Sequence, residues 1–95
     1  MLEKLKAVER RLTEVERQLS DPAVYTDRER LTALSREQKE LTPLVTCYRA
    51  YAAAAQTAED ASVMLADPEL RELAQEERTA ARADMARLTE ELKRL

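Results

Sequence analysis

Apolar side chains recur every three or four residues through the first part of the chain, which is the spacing of one face of an α-helix. These positions are Leu2, Leu5, Val8, Leu12, Val15 and Leu19. Charged residues occupy the other faces, and Glu14 and Arg17 stand at the spacing of helical neighbours. The pattern predicts a first helix over residues 1–19.

Pro22, in the stretch SDPAVYTD, ends this pattern because proline has no N–H to donate and restricts the residue before it. Residues 20–26 are therefore predicted to connect two helices, with room for one short helical turn. Val24 and Tyr25 are apolar enough to fold back onto the helices, although Tyr25 is also the best candidate for an exposed aromatic side chain.

The second helix is predicted from about residue 27 to 65, because Thr26 and Glu29 have the spacing of a capping box. Its apolar face follows a heptad-like spacing with one polar interruption, through Leu31, Leu34, Gln38, Leu41, Val45, Tyr48, Ala52 and Ala55. The face keeps its phase across Pro43, which favours one helix kinked near that residue. A break, with Thr42 as a new N-cap, remains the alternative.

A third helix is predicted over residues 68–95, with Asp67 as its N-cap and Pro68 at its first position. Its apolar face comprises Leu70, Leu73, Ala74, Glu77, Ala81, Met85, Leu88, Leu92 and Leu95, and is interrupted by the glutamate, which we expect at its edge. The short link before Pro68 predicts an antiparallel hairpin with the second helix, along part of which the first helix packs. The fold class is therefore all-α, an elongated antiparallel three-helix bundle or coiled-coil-like hairpin.

Composition agrees with long helices and a thin core. The chain has 95 residues, of which 44% are hydrophobic, but there is no glycine, phenylalanine or tryptophan. Sixteen residues are alanine, and most large apolar side chains are the fourteen leucines and five valines. The absence of glycine argues against phosphate-binding loops and tight turns that need positive φ.

Candidate catalytic groups are few. The chain has no histidine, which is the usual base for a cysteine nucleophile. Its single cysteine, Cys47, is therefore predicted to be a small buried residue. Three acidic pairs occur, and paired carboxylates perform acid–base chemistry only where a pocket shifts their pKa values. They are Glu59 with Asp60, Glu76 with Glu77, and Glu90 with Glu91, and they read as solvated helix faces. We predict no enzyme activity and no catalytic, cofactor-binding or metal-binding residue.

Charge limits the choice of partners. The formal net charge is −3, from 16 basic and 19 acidic residues, whereas a protein that binds phosphates usually has a basic surplus. Five arginines could form a basic edge, but acids are interleaved with them, which favours an ordinary solvated face: Arg10, Arg11, Arg17, Arg28 and Arg30. There is no apolar run long enough for a membrane span and no signal peptide, and one cysteine fits a reducing compartment. We expect a cytoplasmic protein with no membrane or small-molecule partner.

Two motifs in this helical frame resemble a known family. They are LSDPAVYTDRERLTALSREQKEL, over residues 19–41, and MLADPELRELAQEE, over residues 64–77. Together with the order of the helices, they are similar to the N-terminal helical domain of bacterial class I peptide chain release factors. The resemblance covers nearly the whole chain, and the second motif is closer to the release factor 1 branch than to release factor 2.

The resemblance implies a role in ending translation. In the family, other domains read the stop codon and carry a Gly-Gly-Gln motif for peptidyl-tRNA hydrolysis, and a chain without glycine cannot contain that motif. The N-terminal domain is implied to reach the ribosome near its stalk base and to couple to a partner GTPase release factor. No partner-binding residue carries over. We expect residues 1–95 to be a single helical domain of a longer multidomain factor.

Two other classes of function remain open on the residues alone. An unrelated coiled-coil adaptor or oligomerisation module would show the same periodicity, and self-association of the isolated chain stays open. The helical arm of an enzyme, such as the tRNA-binding hairpin of a synthetase, would be expected to carry a basic surface, which a net acidic chain lacks. A downstream GTGG and then GGQ would identify a release factor.

Overall fold

The computed structural model describes residues 2–95, and every regular element in that range is helical. Helix α1 spans Leu2–Leu19, a 3₁₀ helix spans Pro22–Thr26, α2 spans Arg28–Met64 and α3 spans Arg71–Arg94. The all-α prediction is confirmed, and the ends of α1 and α2 lie within one residue of their predicted positions. Met1, predicted to begin the first helix, lies outside the described residues.

The chain divides into two compact units, one ending at Thr46 and the other beginning at Cys47. In the first unit, α1 runs antiparallel to the first part of α2. Two pairs of contacting polar side chains show that the helices are antiparallel, because the residue number on α2 decreases as the residue number on α1 increases. Arg11 binds Glu37, and Gln18 accepts a hydrogen bond from Arg30.

The core of the first unit joins three elements. Val15 from α1, Val24 from the 3₁₀ helix and Leu34 from α2 form one buried cluster, against which Leu19 and Leu31 pack. Val24 has no exposed surface. The prediction that residues 20–26 connect the helices through a short helical turn, with Val24 folded inward, is confirmed.

The residue that caps α2 differs from the prediction. Asp27, and not Thr26, accepts from the first turn, because its Oδ1 lies 3.1 Å from the backbone N of Arg30. Thr26 is the last residue of the 3₁₀ helix, and its hydroxyl donates backwards to the carbonyl of Ala23 over 2.8 Å. The predicted capping box is therefore wrong: the 3₁₀ helix takes up Thr26 and moves the cap one residue along.

Asp27→Ala is expected to reduce the free energy of unfolding by about 0.5–2 kcal/mol, the usual effect of losing an N-cap. The matched control is Thr26→Ala, which leaves the acceptor for the first turn in place and is expected to cost less. Urea unfolding of both variants measures the difference, and amide exchange at Arg30 localises it. Equal losses in the two variants would show that Asp27 is not the effective cap.

Helix α2 continues through Pro43 without a break, as predicted. Proline cannot donate to the carbonyl four residues earlier, which belongs to Lys39. Lys39 and Pro43 are both exposed, so water can reach that carbonyl. One residue earlier, the Thr42 hydroxyl donates to the carbonyl of Gln38 over 2.6 Å. The predicted kink stays a prediction.

In the second unit, the last part of α2 and α3 form the predicted antiparallel hairpin. Cys47 at the start of this unit donates its thiol to the carbonyl of Leu88, while Ala54 and Thr57 line a groove together with residues 77–84 of α3. Small residues are prominent among those buried here: Cys47, Tyr48, Ala58, Ala61, Ala74, Ala81, Leu88 and Leu92. Because alanine has only a methyl group, these positions allow the two helices to approach closely.

Helix α3 begins three residues later than predicted. Asp67 does accept a hydrogen bond from a backbone N–H, that of Glu69 over 2.9 Å, but it caps a turn that precedes the helix. The backbone N–H of Leu70 donates to the carbonyl of Asp67, three residues earlier. The first hydrogen bond of α-helical spacing after this turn runs from the N–H of Ala74 to the carbonyl of Leu70. The tight turn after Pro68 therefore delays the helix to Arg71. At the other end, α3 stops at Arg94, one residue before the prediction.

Candidate functional site

The acidic pairs predicted as solvated faces are exposed, all six of their residues included. Glu77 and Asp84 line one groove of about 360 Å³ in the second unit, with Ala54, Thr57, Ala80 and Ala81. These two carboxylates stand two helical turns apart, about 10 Å along the axis, which is too far for them to share a proton. The groove therefore does not supply paired carboxylates for acid–base chemistry.

Cys47 is buried, and its Sγ lies 3.7 Å from the carbonyl oxygen of Leu88. Burial raises the pKa of this thiol, and the nearby negative charge of Glu91 raises it further. A thiol with a raised pKa is mostly protonated at neutral pH and is a weak nucleophile. The interpretation of Cys47 as a packing residue fits this environment.

Two of the five arginines considered as a basic edge, Arg11 and Arg17, are paired with carboxylates within the first unit. Arg11 binds Glu37 through two contacts of 2.6 and 2.7 Å, and Arg17 binds Glu14 through two of 2.9 and 2.7 Å. Both are bidentate arrangements, the geometry that guanidinium groups favour with carboxylates. Their charges are therefore balanced locally, which argues against a phosphate-binding surface at these two positions.

The pairing of Arg17 with Glu14 predicts a measurable effect on the titration of the Glu14 carboxyl group. Hydrogen bonds from Arg17 and then Gln18 lower the pKa of Glu14 to about 2. A carboxylate whose pKa is lowered by folding stabilises the protein above its unfolded pKa, and this contribution is lost as pH falls towards the folded value. Arg17→Ala is expected to raise the pKa of Glu14, as measured by carboxyl NMR. A Glu14 titration unchanged in that variant would contradict the pairing.

A different surface, which we call the hairpin end, covers residues 59–77 where α2 connects to α3. It contains one basic residue, Arg71, and seven acidic residues, which gives a formal charge of −6 against −3 for the whole chain. The acids are Glu59, Asp60, Asp67, Glu69, Glu72, Glu76 and Glu77. This segregation of charge is visible in the sequence alone.

Exposed apolar side chains lie among these acids. Val63 is 73% exposed, Leu73 is 49% exposed and Leu70 is 38% exposed. The prediction that Leu70 and Leu73 belong to the inward face of the third helix is therefore wrong. Leu70 precedes the helix, and Leu73 lies in its first turn, beside Ala74, which is fully buried.

Neither a cluster of potential metal ligands nor a membrane-spanning helix occurs in the described part of the chain. No group of three or more histidine, cysteine, aspartate or glutamate side chains within residues 2–95 is arranged to hold a metal ion. None of the helices in that range combines the length and the apolar character needed to cross a bilayer.

Comparisons with a family model and with individual proteins indicate the same family. Residues 8–95 match the family model described as the PCRF domain. Over 95 residues, the chain is 38% identical to peptide chain release factor 1 of Exiguobacterium sibiricum, an alignment that covers 100% of this chain and 27% of that protein. It is 41% identical to peptide chain release factor 1 of Solidesulfovibrio magneticus, covering 98% of this chain and 27% of the relative. The chain thus spans about a quarter of the length of these relatives, and no solved structure matches it.

Proposed function

The chain belongs to the PCRF domain family, and we propose from this membership that it is the N-terminal helical domain of a bacterial peptide chain release factor. The observation that carries the proposal is the family match over residues 8–95, joined to 38% and 41% identity with two proteins named peptide chain release factor 1. The chain would then be one domain of a longer protein that ends translation in the cytoplasm.

Within such a factor, we propose that this domain docks and does not perform the chemistry. The side chains support this division, because the sole thiol is buried, histidine is absent and the carboxylates that share a groove are two turns apart. Stop-codon reading and peptidyl-tRNA hydrolysis would belong to other domains of the same protein. We assign no catalytic, cofactor-binding or metal-binding residue.

The docking partners that we propose are the ribosome, near its stalk base, and the partner GTPase release factor. Long helices with mixed charge on their faces suit a modest interface whose strength depends on salt. Because the chain belongs to the PCRF domain family, the coiled-coil adaptor of unrelated origin is no longer an alternative.

The isolated chain is expected to sediment with purified bacterial ribosomes, and progressively less as salt is raised. On ribosomes programmed with a stop codon, it is expected to release no peptide, because it contains no catalytic group. A helical hairpin of equal charge and unrelated sequence serves as the control for non-specific binding. Oligomerisation without ribosome binding would contradict the docking role, and codon-dependent release by the chain alone would refute the division of roles.

A further inference from the structure

The hairpin end combines features that distinguish it from an ordinary solvated helix face. Val63 lies in the last turn of α2, Leu70 directly precedes α3 and Leu73 lies in its first turn, and all three are exposed. Single exposed apolar residues are common, but three at one connection, surrounded by charge, resemble the apolar centre and polar rim of a protein interface.

The connection is held by its own hydrogen bonds. Asp67 N donates to the carbonyl of Met64 over 3.0 Å, Leu70 N donates to the carbonyl of Asp67 over 3.1 Å, and Asp67 Oδ1 accepts from Glu69. Arg71, the only basic residue of the segment, donates its Nε–H to the carbonyl of Leu65 over 3.3 Å. The turn is thus ordered before any partner arrives, which reduces the entropy lost on binding.

We propose that the hairpin end is the docking surface of this domain, and that it binds a basic protein surface carrying an apolar pocket, not nucleic acid. The proposal rests on the proposed function and adds the surface and the chemistry of its partner. Arginines and lysines on that partner would face the carboxylates, and its pocket would take Val63, Leu70 or Leu73.

Charge decides between the classes of partner. Seven carboxylates against one guanidinium repel RNA phosphates, whereas binding to a nucleic acid backbone depends on basic side chains. The same charge opposes pairing with the hairpin end of a second copy, since like charges would meet across the interface. A basic protein surface is the partner that both the carboxylates and the exposed apolar groups favour.

The test compares two double charge reversals in the 95-residue chain, with bacterial ribosomes as the probe. Glu69→Lys with Glu72→Lys changes the hairpin end at two exposed acids, neither of which caps the turn with its side chain. Glu16→Lys with Glu40→Lys makes the same change of charge at exposed acids of the first unit. Circular dichroism establishes that both variants remain helical.

We expect the hairpin-end variant to bind ribosomes about tenfold more weakly and the control variant to bind within about twofold of the wild type. A photo-crosslinking amino acid in place of Val63 is expected to label ribosomal protein, with Tyr25 as the exposed control position. Labelling of ribosomal RNA from position 63, or tighter binding after the reversal, would overturn the proposal in favour of an RNA partner.

Two further outcomes separate this proposal from the one on which it rests. If both variants bind ribosomes as tightly as the wild type, the hairpin end is not the docking surface, while the proposed function stands. If the wild-type chain itself does not bind, the proposed function fails, and the assignment of this surface fails with it.

Discussion

Val24→Asp is expected to unfold the first unit or to cost it more than about 4 kcal/mol of stability. Val24 is fully buried in one cluster with Val15 and Leu34, which belong to different helices. A carboxylate at this position would lose the apolar contact and would have to ionise without a partner or remain protonated at a cost. A small domain has a total stability on the order of 5–15 kcal/mol, so this loss is a large fraction.

Urea unfolding followed by circular dichroism measures the effect, and the neighbouring residue supplies the control. Tyr25 belongs to the same 3₁₀ helix but is 60% exposed, so Tyr25→Asp is expected to change stability by less than about 0.5 kcal/mol. Val24→Ala, which removes methyl groups without adding charge, is expected to lie between them at about 1–3 kcal/mol. A Val24→Asp variant as stable as Tyr25→Asp would show that this cluster does not hold the unit together.

Helix positions could be predicted from the sequence because each helix repeats its apolar residues over several turns. The residues that begin and cap each helix could not be predicted from this repeat. Thr26 and Asp27 are both good caps, and only the extent of the 3₁₀ helix decides that Asp27 serves α2. Pro68 was predicted as the first residue of the third helix, but it lies in the connection, and the hydrogen bonds that delay α3 to Arg71 depend on the path of the backbone.

The error at Leu70 and Leu73 has a physical reason. Periodicity indicates which face of a helix is apolar, but it does not indicate how far the partner helix extends. Helix α2 ends at Met64, and the apolar spacing in the sequence continues beyond it. Leu70 lies in the connection and Leu73 in the first turn of α3, and both side chains remain exposed. The apolar pattern therefore could not predict that these side chains are exposed at the hairpin end, which is the feature that makes this end a candidate docking surface.

Function was even less accessible from individual residues. Cys47, the acidic pairs and the arginine edge were interpreted as structural or solvated, and their burial, exposure and pairing agree with that interpretation. What pointed to translation was the resemblance carried by residues 19–41 and 64–77, which lie mostly in connections and the adjoining turns of helix.

Under the proposed function, removal of this domain from a full-length release factor is expected to separate docking from chemistry. If other domains read the codon and hydrolyse the ester bond, the shortened factor keeps codon-specific release once it is saturating. Because docking contacts are lost, it needs about tenfold more factor for half-maximal release, which corresponds to about 1.4 kcal/mol of binding. Its stimulation by the partner GTPase is expected to fall as well.

The measurement that tests the docking role most directly is single-turnover peptide release by the full-length and shortened factors, each titrated with and without the GTPase. We expect both factors to give similar release at saturation. The shortened factor should have a higher half-saturating concentration and should lose most of its stimulation by the GTPase. Abolished release at saturation, with the remainder of the factor shown to be folded, would contradict the docking role. Unchanged half-saturation together with unchanged GTPase stimulation would contradict it equally.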